Sequence, residues 1–140
     1  MSHPIVPFLR RDDGASAIEF ALVLPIFLTL VFGIIVYGSY FASLSIVNQI
    51  AAEAARATVT GLTDTERQSL ATQKATTLIA SYGALLNTGT VTIQAVPTSA
   101  GSFAVTITNQ FDALGLGNIT LIPMPPTLQS ATAEVARGGY

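Results

Sequence analysis

The chain has 140 residues, 50% of them apolar and 10% charged, with a formal net charge of −2 and no cysteine. That length holds one membrane span and one small domain, and the lack of cysteine excludes disulfides, thiolate metal sites and cysteine nucleophiles. The single histidine, His3, lies near the N-terminus, which leaves the body of the chain without a Ser-His-Asp triad or a multi-histidine metal site, and the acidic balance gives no basis for binding nucleic acid.

Residues 1–14 read as a polar leader, in which Pro4 and Pro7 disfavour helix and Asp12-Asp13-Gly14 marks a boundary. A helix is predicted from near Ser16, where Ser16-Ala-Ile-Glu19 has capping-box spacing. No charged side chain occurs between Glu19 and Glu53. Phe20 to Tyr40 spans 21 residues, roughly 31 Å at about 1.5 Å per residue, which matches a hydrocarbon core of roughly 30 Å. Residues 20–40 are therefore the predicted transmembrane span, within a helix over 15–60 that outlasts the membrane, because Ala51-Ala-Glu-Ala-Ala-Arg-Ala57 is rich in helix formers. Its stripe Leu44, Val47, Ala51 and Ala54 needs a partner surface. Arg10 and Arg11 before the span set the N-terminus on the cytoplasmic side and the C-terminus outside, with Tyr37, Tyr40 and Phe41 in an outer aromatic belt. Pro25 lacks a backbone donor and is expected to bend the helix, as a tolerated membrane proline or as a hinge. Gly38 and Ala42 have the small-xxx-small spacing that permits close helix approach in lipid.

Residues 61–140 form the predicted extracytoplasmic head. Thr63-Asp-Thr-Glu66 offers a second capping box, and the following helix, about 64–82, places Ala71, Ala75, Leu78, Ile79 and Tyr82 on one face, with Arg67 among the residues mostly elsewhere. Gly83 is its expected stop. From Thr90 the period changes to two: Val91, Ile93 and Ala95, then Phe103, Val105 and Ile107, then Ala131, Ala133 and Val135 each alternate with polar or small residues. Residues 97–102 read as a hairpin loop and 111–127 as a long connection whose Pro123-Met-Pro-Pro126 cannot be a central strand. The predicted fold class is membrane-anchored α+β: a long N-terminal transmembrane helix extending into a small pilin-like head with a second amphipathic helix and a three-stranded antiparallel sheet.

The upstream edge of the span is Gly14-Ala-Ser-Ala-Ile-Glu-Phe20. It resembles the processing site of type IV pilin-like proteins, and the resemblance implies cleavage by a prepilin peptidase between Gly14 and Ala15, leaving Glu19 as fifth residue of the mature chain, followed by Phe20. A freed α-amine on Ala15 would be mostly protonated near neutral pH and would lie on the same helix face as Glu19. Pairing of an amine with that carboxylate, within the chain or from a neighbour, offsets the cost of an ion at the hydrocarbon edge; the resemblance favours the neighbour. Glu19 also reads as an N-terminal cap favoured by the helix dipole.

Among pilin-like proteins the chain is most similar to the TadE-like family of the tight-adherence (Tad/Flp) pilus system, on Gly14 to Pro25, on Ala51-Ala-Glu-Ala-Ala-Arg56 and on the terminal strand through Ala133-Glu-Val-Ala136. Major Flp pilins are shorter and carry Glu-Tyr, where this chain has Glu19-Phe20 and a substantial head. The resemblance implies a minor pseudopilin, processed by the peptidase and supporting pilus assembly and adhesion from the bacterial inner membrane. Its implied partners are other Tad pseudopilins, the major Flp pilin, inner-membrane Tad platform proteins and the lipid bilayer. No cofactor is implied. The alternative is an unprocessed single-span accessory or regulatory subunit. An enzyme is disfavoured because the acidic residues beyond the span, Glu53, Asp64, Glu66, Asp112 and Glu134, are scattered. A cleaved secretory signal is disfavoured because its apolar core would be only about 7 to 15 residues.

Overall fold

The structure is a computed structural model and describes residues 12–86, 91–98, 101–112 and 123–136. Helix α1, Asp12–Ala57, is one unbroken element of 46 residues, closed by a 3-10 turn at Thr58–Thr60. It starts one turn before Ser16, so Ser16 lies inside the helix and does not cap it. Helix α2, Asp64–Ser81, follows a tight corner. Strands β1, Thr92–Pro97, β2, Ser102–Gln110, and β3, Leu128–Ala136, make an antiparallel sheet with β2 in the centre. The α+β class and the three-stranded sheet are as the sequence predicts.

Both helices lie on one face of the sheet. α1 packs over β2 and β3, and α2 sits beside α1 and over β1. The core joins Ile46, Val47, Ile50, Ala51 and Ala54 of α1 to Ala71 and Ala75 of α2 and to Phe103, Val105 and Ile107 of β2. Alanines at the helix–helix contact keep the two axes close, which lets so short a sheet cover both. The buried stripe of α1 is rotated from the expected one: Ser43 and Ile46 are in it, and Leu44 is only half-buried. The sheet's outer face is hydroxylated, with Thr106 and Thr132 hydrogen-bonded across the β2–β3 pair at 2.8 Å. Period-two alternation thus divides core from solvent along β2 and β3.

β1 starts at Thr92 and runs through Pro97, which pairs in register with Phe103. A proline is tolerated there because β1 is an edge strand and Pro97 its last residue. The turn that follows holds Gly101 at φ 76°, a left-handed conformation open to glycine at little cost. Pro123 to Pro126 lie outside any strand, as expected.

The corner between the helices is built by three interactions. The Thr63 hydroxyl accepts from the Glu66 amide at 3.2 Å, while the Glu66 carboxylate reaches past the cap to accept from the Leu62 amide at 2.9 Å. Arg67, expected away from the apolar face, is buried instead, because its Nε donates to the Gly61 carbonyl at 2.9 Å and its guanidinium lies 3.6 Å from Asp64. That arrangement requires glycine at 61, where an added Cβ would stand 2.6 Å from Arg67 Cγ. On the flank, Glu53 of α1 pairs with Lys74 of α2 at 3.4 Å.

Two outcomes follow from the corner and the flank. Gly61→Ala forces Arg67 off its carbonyl and overpacks the corner, costing about 1–3 kcal/mol in denaturation of the full chain in detergent. The Gln49 amide, donating to the Glu53 carboxylate at 3.3 Å, holds that carboxyl below its ordinary 4.5, helped by Lys74. A carboxyl depressed by folding stabilises the fold above its unfolded pKa, and the contribution disappears as pH falls through the folded value. NMR titration should find Glu53 below 4.5 and moved back toward it by Gln49→Ala.

Candidate functional site

Below the head, α1 stands bare. Ile18, Phe20, Leu22, Val23, Ile26, Phe27, and on through Leu30, Ile34 and Ile35 are exposed, on all sides of the helix. The first fully buried side chain of α1 is Val36, and one residue later the Tyr37 hydroxyl donates to the Pro123 carbonyl at 2.8 Å. A helix apolar all round with no protein cover has lipid as its physical solvent. It is the one described helix long and apolar enough to cross a membrane.

The residues singled out from sequence are all on this exposed element. Gly14, Ala15, Glu19 and Phe20 are exposed in its first turns, and a Cβ on Gly14 would touch nothing. The Gly14–Ala15 bond lies within the first turn, where amides lack intrahelical acceptors and the helix opens most readily. Glu19 is two turns in, beyond the reach of the dipole effect in the full-length chain; starting the helix at Ala15 would return it to the second turn. Pro25 sits inside the continuous helix, so the Ala21 carbonyl has no amide donor from it, while the Thr29 hydroxyl donates to the Pro25 carbonyl at 2.8 Å. Gly38 and Ala42 are exposed on the side away from the head, and a Cβ on Gly38 would meet nothing. Among the described residues, nothing packs over them and each is exposed. The structure presents them as a surface.

A feature missed in the sequence joins the bare and covered halves of α1. Asn109 on β2 and Gln129 on β3 are register partners on the inner face, each 1% exposed. Gln129 Nε2 donates to the Tyr40 carbonyl at 3.0 Å, and its Oε1 accepts from the Ser43 hydroxyl at 2.8 Å and from Asn109 Nδ2 at 3.2 Å. Asn109 Nδ2 also donates to Ser43 Oγ at 3.2 Å. The donor to Tyr40 fixes the orientation of the Gln129 amide, and that orients Asn109. Its buried Oδ1 has no partner among the described residues and lies beside a cleft of 180 Å³ between Ser39, Leu85 and Phe111. Above, Tyr40 packs edge-on against Phe111, with ring centroids 5.3 Å apart. The signal available in sequence was the period itself: continuing the inner positions of β2 and β3 by one step reaches Asn109 and Gln129.

The class of protein is therefore a single apolar helix carrying a small α+β head pinned to its upper half. The family model for TadE-like proteins matches residues 14–56, nearly the whole of α1 from Gly14 onward. That stretch is therefore similar to TadE-like proteins. Neither the curated proteins nor the solved structures contain a match to the chain.

The junction supplies its own test. Gln129→Leu keeps the volume but strips partners from Ser43 and Asn109, each loss of a buried partner costing about 1–3 kcal/mol. Ser43→Ala added to it should cost less than Ser43→Ala alone, because the two residues share one network. Additive costs in denaturation of the four proteins would disprove the coupling.

Proposed function

We propose that this chain is a minor pseudopilin of a Tad/Flp-type pilus, cut by a prepilin peptidase between Gly14 and Ala15 and anchored in the inner membrane with its head outside. The observation that carries this reading is the bare stretch of α1 from Gly14 to Ile35: an all-round apolar surface with one ionisable residue, Glu19, fixed at the fifth position after Gly14, within a TadE-like segment that itself begins at Gly14. A carboxylate on an otherwise apolar surface is costly in lipid, and a partner cation offsets it. The protonated amine of Ala15 in a neighbouring subunit supplies that cation, which makes Glu19 an assembly determinant. Phe20, Gly38 and Ala42 then offer side-to-side contact with other pseudopilins or the major Flp pilin, and platform proteins meet the same surface in the membrane. The head is free for contacts among minor components. The chain performs no chemistry itself; it is a substrate of the peptidase.

The second reading, an unprocessed single-span accessory subunit, is favoured by one observation. Helix α1 continues upstream of Gly14 to Asp12, so the Gly14–Ala15 bond lies in helix and not in an extended segment. Fraying of the first turn, where no amide is held by an intrahelical bond, reconciles processing with that continuity.

Intact mass and N-terminal sequencing of membrane-extracted protein, from cells with and without the peptidase, decide between the two. The expected mature chain begins at Ala15 only where the peptidase is present, and Glu19→Gln leaves cleavage intact while reducing piliation. A leader retained in both strains would establish the accessory subunit.

A further inference from the structure

The base of the head carries three exposed large apolar side chains from three different elements: Phe41 on α1 (61% exposed), Leu85 in the turn after α2 (57%) and Leu128 at the start of β3 (65%). They lie at one level. Phe41 stacks edge-on with Tyr40, whose ring also meets Phe111. Leu85 and Phe111 line the same cleft as Ser39 and Ser43. Leu128 adjoins Gln129, which is bonded to the Tyr40 carbonyl. The rim thus surrounds the helical turn of Tyr40, and just below it Ile34 and Ile35 open the bare apolar helix.

Charge is distributed in the opposite sense. Glu53 and Lys74, paired across the helices, stand about 20 Å farther up α1 at about 1.5 Å per residue from Tyr40. Arg67 lies at the distal corner with Gly61, and Glu134 pairs in register with Ala104, toward the far end of the sheet. Among the described head residues, Asp112 is the one acid near the rim, and no basic residue is there.

Building on the membrane reading of α1, we infer that this rim is an interfacial seat: the head rests on the outer leaflet with Phe41, Leu85 and Leu128 in the boundary between headgroups and acyl chains. The occupant is lipid because the rim is continuous with the lipid-facing helix and its apolar side chains sit beside Tyr37 and Tyr40, rings suited to that boundary. With no basic residue at the rim, the seat relies on apolar burial and needs no anionic lipid. The bilayer is then registered by the head. From Val36 at the outer edge, roughly 20 helical residues cross the hydrocarbon, which moves the span from 20–40 to about 16–35 and sets Glu19 about one turn inside the inner edge.

The chain has no tryptophan, so single tryptophans report depth without background. Full-length L85W and L128W, with I26W in the span and L62W at the 89% exposed distal corner, are reconstituted in phosphatidylcholine vesicles without bromine, with bromine near the carbonyl end of the acyl chains, or with bromine near their methyl end. The expected result is blue-shifted emission for L85W, L128W and I26W, with loss of intensity for the two rim tryptophans in carbonyl-end-brominated lipid and for I26W in methyl-end-brominated lipid, and L62W unchanged in both. Quenching of I26W while both rim tryptophans behave as L62W does overturns the seat and leaves the span intact. Rim emission that is blue-shifted but unquenched also overturns it, since protein, such as a second copy, would then cover the rim. An unquenched I26W overturns the membrane reading itself.

Discussion

Helix α1 must satisfy two solvents with one continuous backbone, and the rest of the molecule is arranged around where the change occurs. From Phe20 to Ile35 its exposed side chains are apolar on every side; above Tyr40 a stripe of Ser43, Ile46, Val47 and Ile50 turns inward while Asn48 and Gln49 face water. A helix satisfies its own backbone hydrogen bonds in either medium, which is why no break is needed at the crossing. What must change is the covering of the side chains. The head supplies it by wrapping the upper half with α2 on one side and the sheet on the other.

Such a head could slide or rotate on a smooth apolar stripe, because alanine and valine surfaces specify position weakly. The Tyr40–Ser43–Asn109–Gln129 network removes that freedom, since its hydrogen bonds form in only one register of helix on sheet. Buried polar networks need every member oriented, and losing one strands the others. Asn109 Oδ1 shows the cost, a buried acceptor without a partner among the described residues. We take the network as a positional pin at the membrane-proximal end of the core, where apolar packing gives way to the rim.

Much of this fold is legible in the sequence because each element has a clean period. The uncharged run from Phe20 onward, the second capping box at Thr63 and the alternation around Val105 and Ala131 each point to the element that forms. The failures share a cause. Arg67 looks like a solvent-facing cation until Gly61 presents a carbonyl with room beside it, and that proximity comes from the corner, six residues apart along the chain. Asn109 and Gln129 look like strand ends because polar residues at inner positions make sense only once they meet each other across the sheet. Ser16 had the spacing of a cap and Asp12-Asp13-Gly14 that of a boundary, yet helix extends to Asp12, because one glycine weakens a helix without ending it. The residues of the candidate site stand apart: Gly14, Ala15, Glu19 and Phe20 were visible by motif alone, and within this one chain they have no tertiary surroundings to reveal.

That isolation bears on function. A residue whose role lies within a fold is normally found packed or hydrogen-bonded there, whereas the stretch of α1 from Gly14 to Ile35 gathers apolar side chains and one carboxylate with no partner surface among the described residues. Lipid accounts for the apolar side chains, each of which is at home in hydrocarbon. It does not account for Glu19, which lipid penalises and which a plain anchor would omit. Nor does capping explain it in the full-length helix, where it stands two turns from the start. Moving the helix start to Ala15 creates a cation one turn away at the same time as it brings Glu19 near the terminus. On the proposed processing, a single cut would turn this liability of the precursor into a group that an amine can pair in the product, and carrying that group through membrane insertion fits a helix selected for contact with other subunits as well as for anchorage.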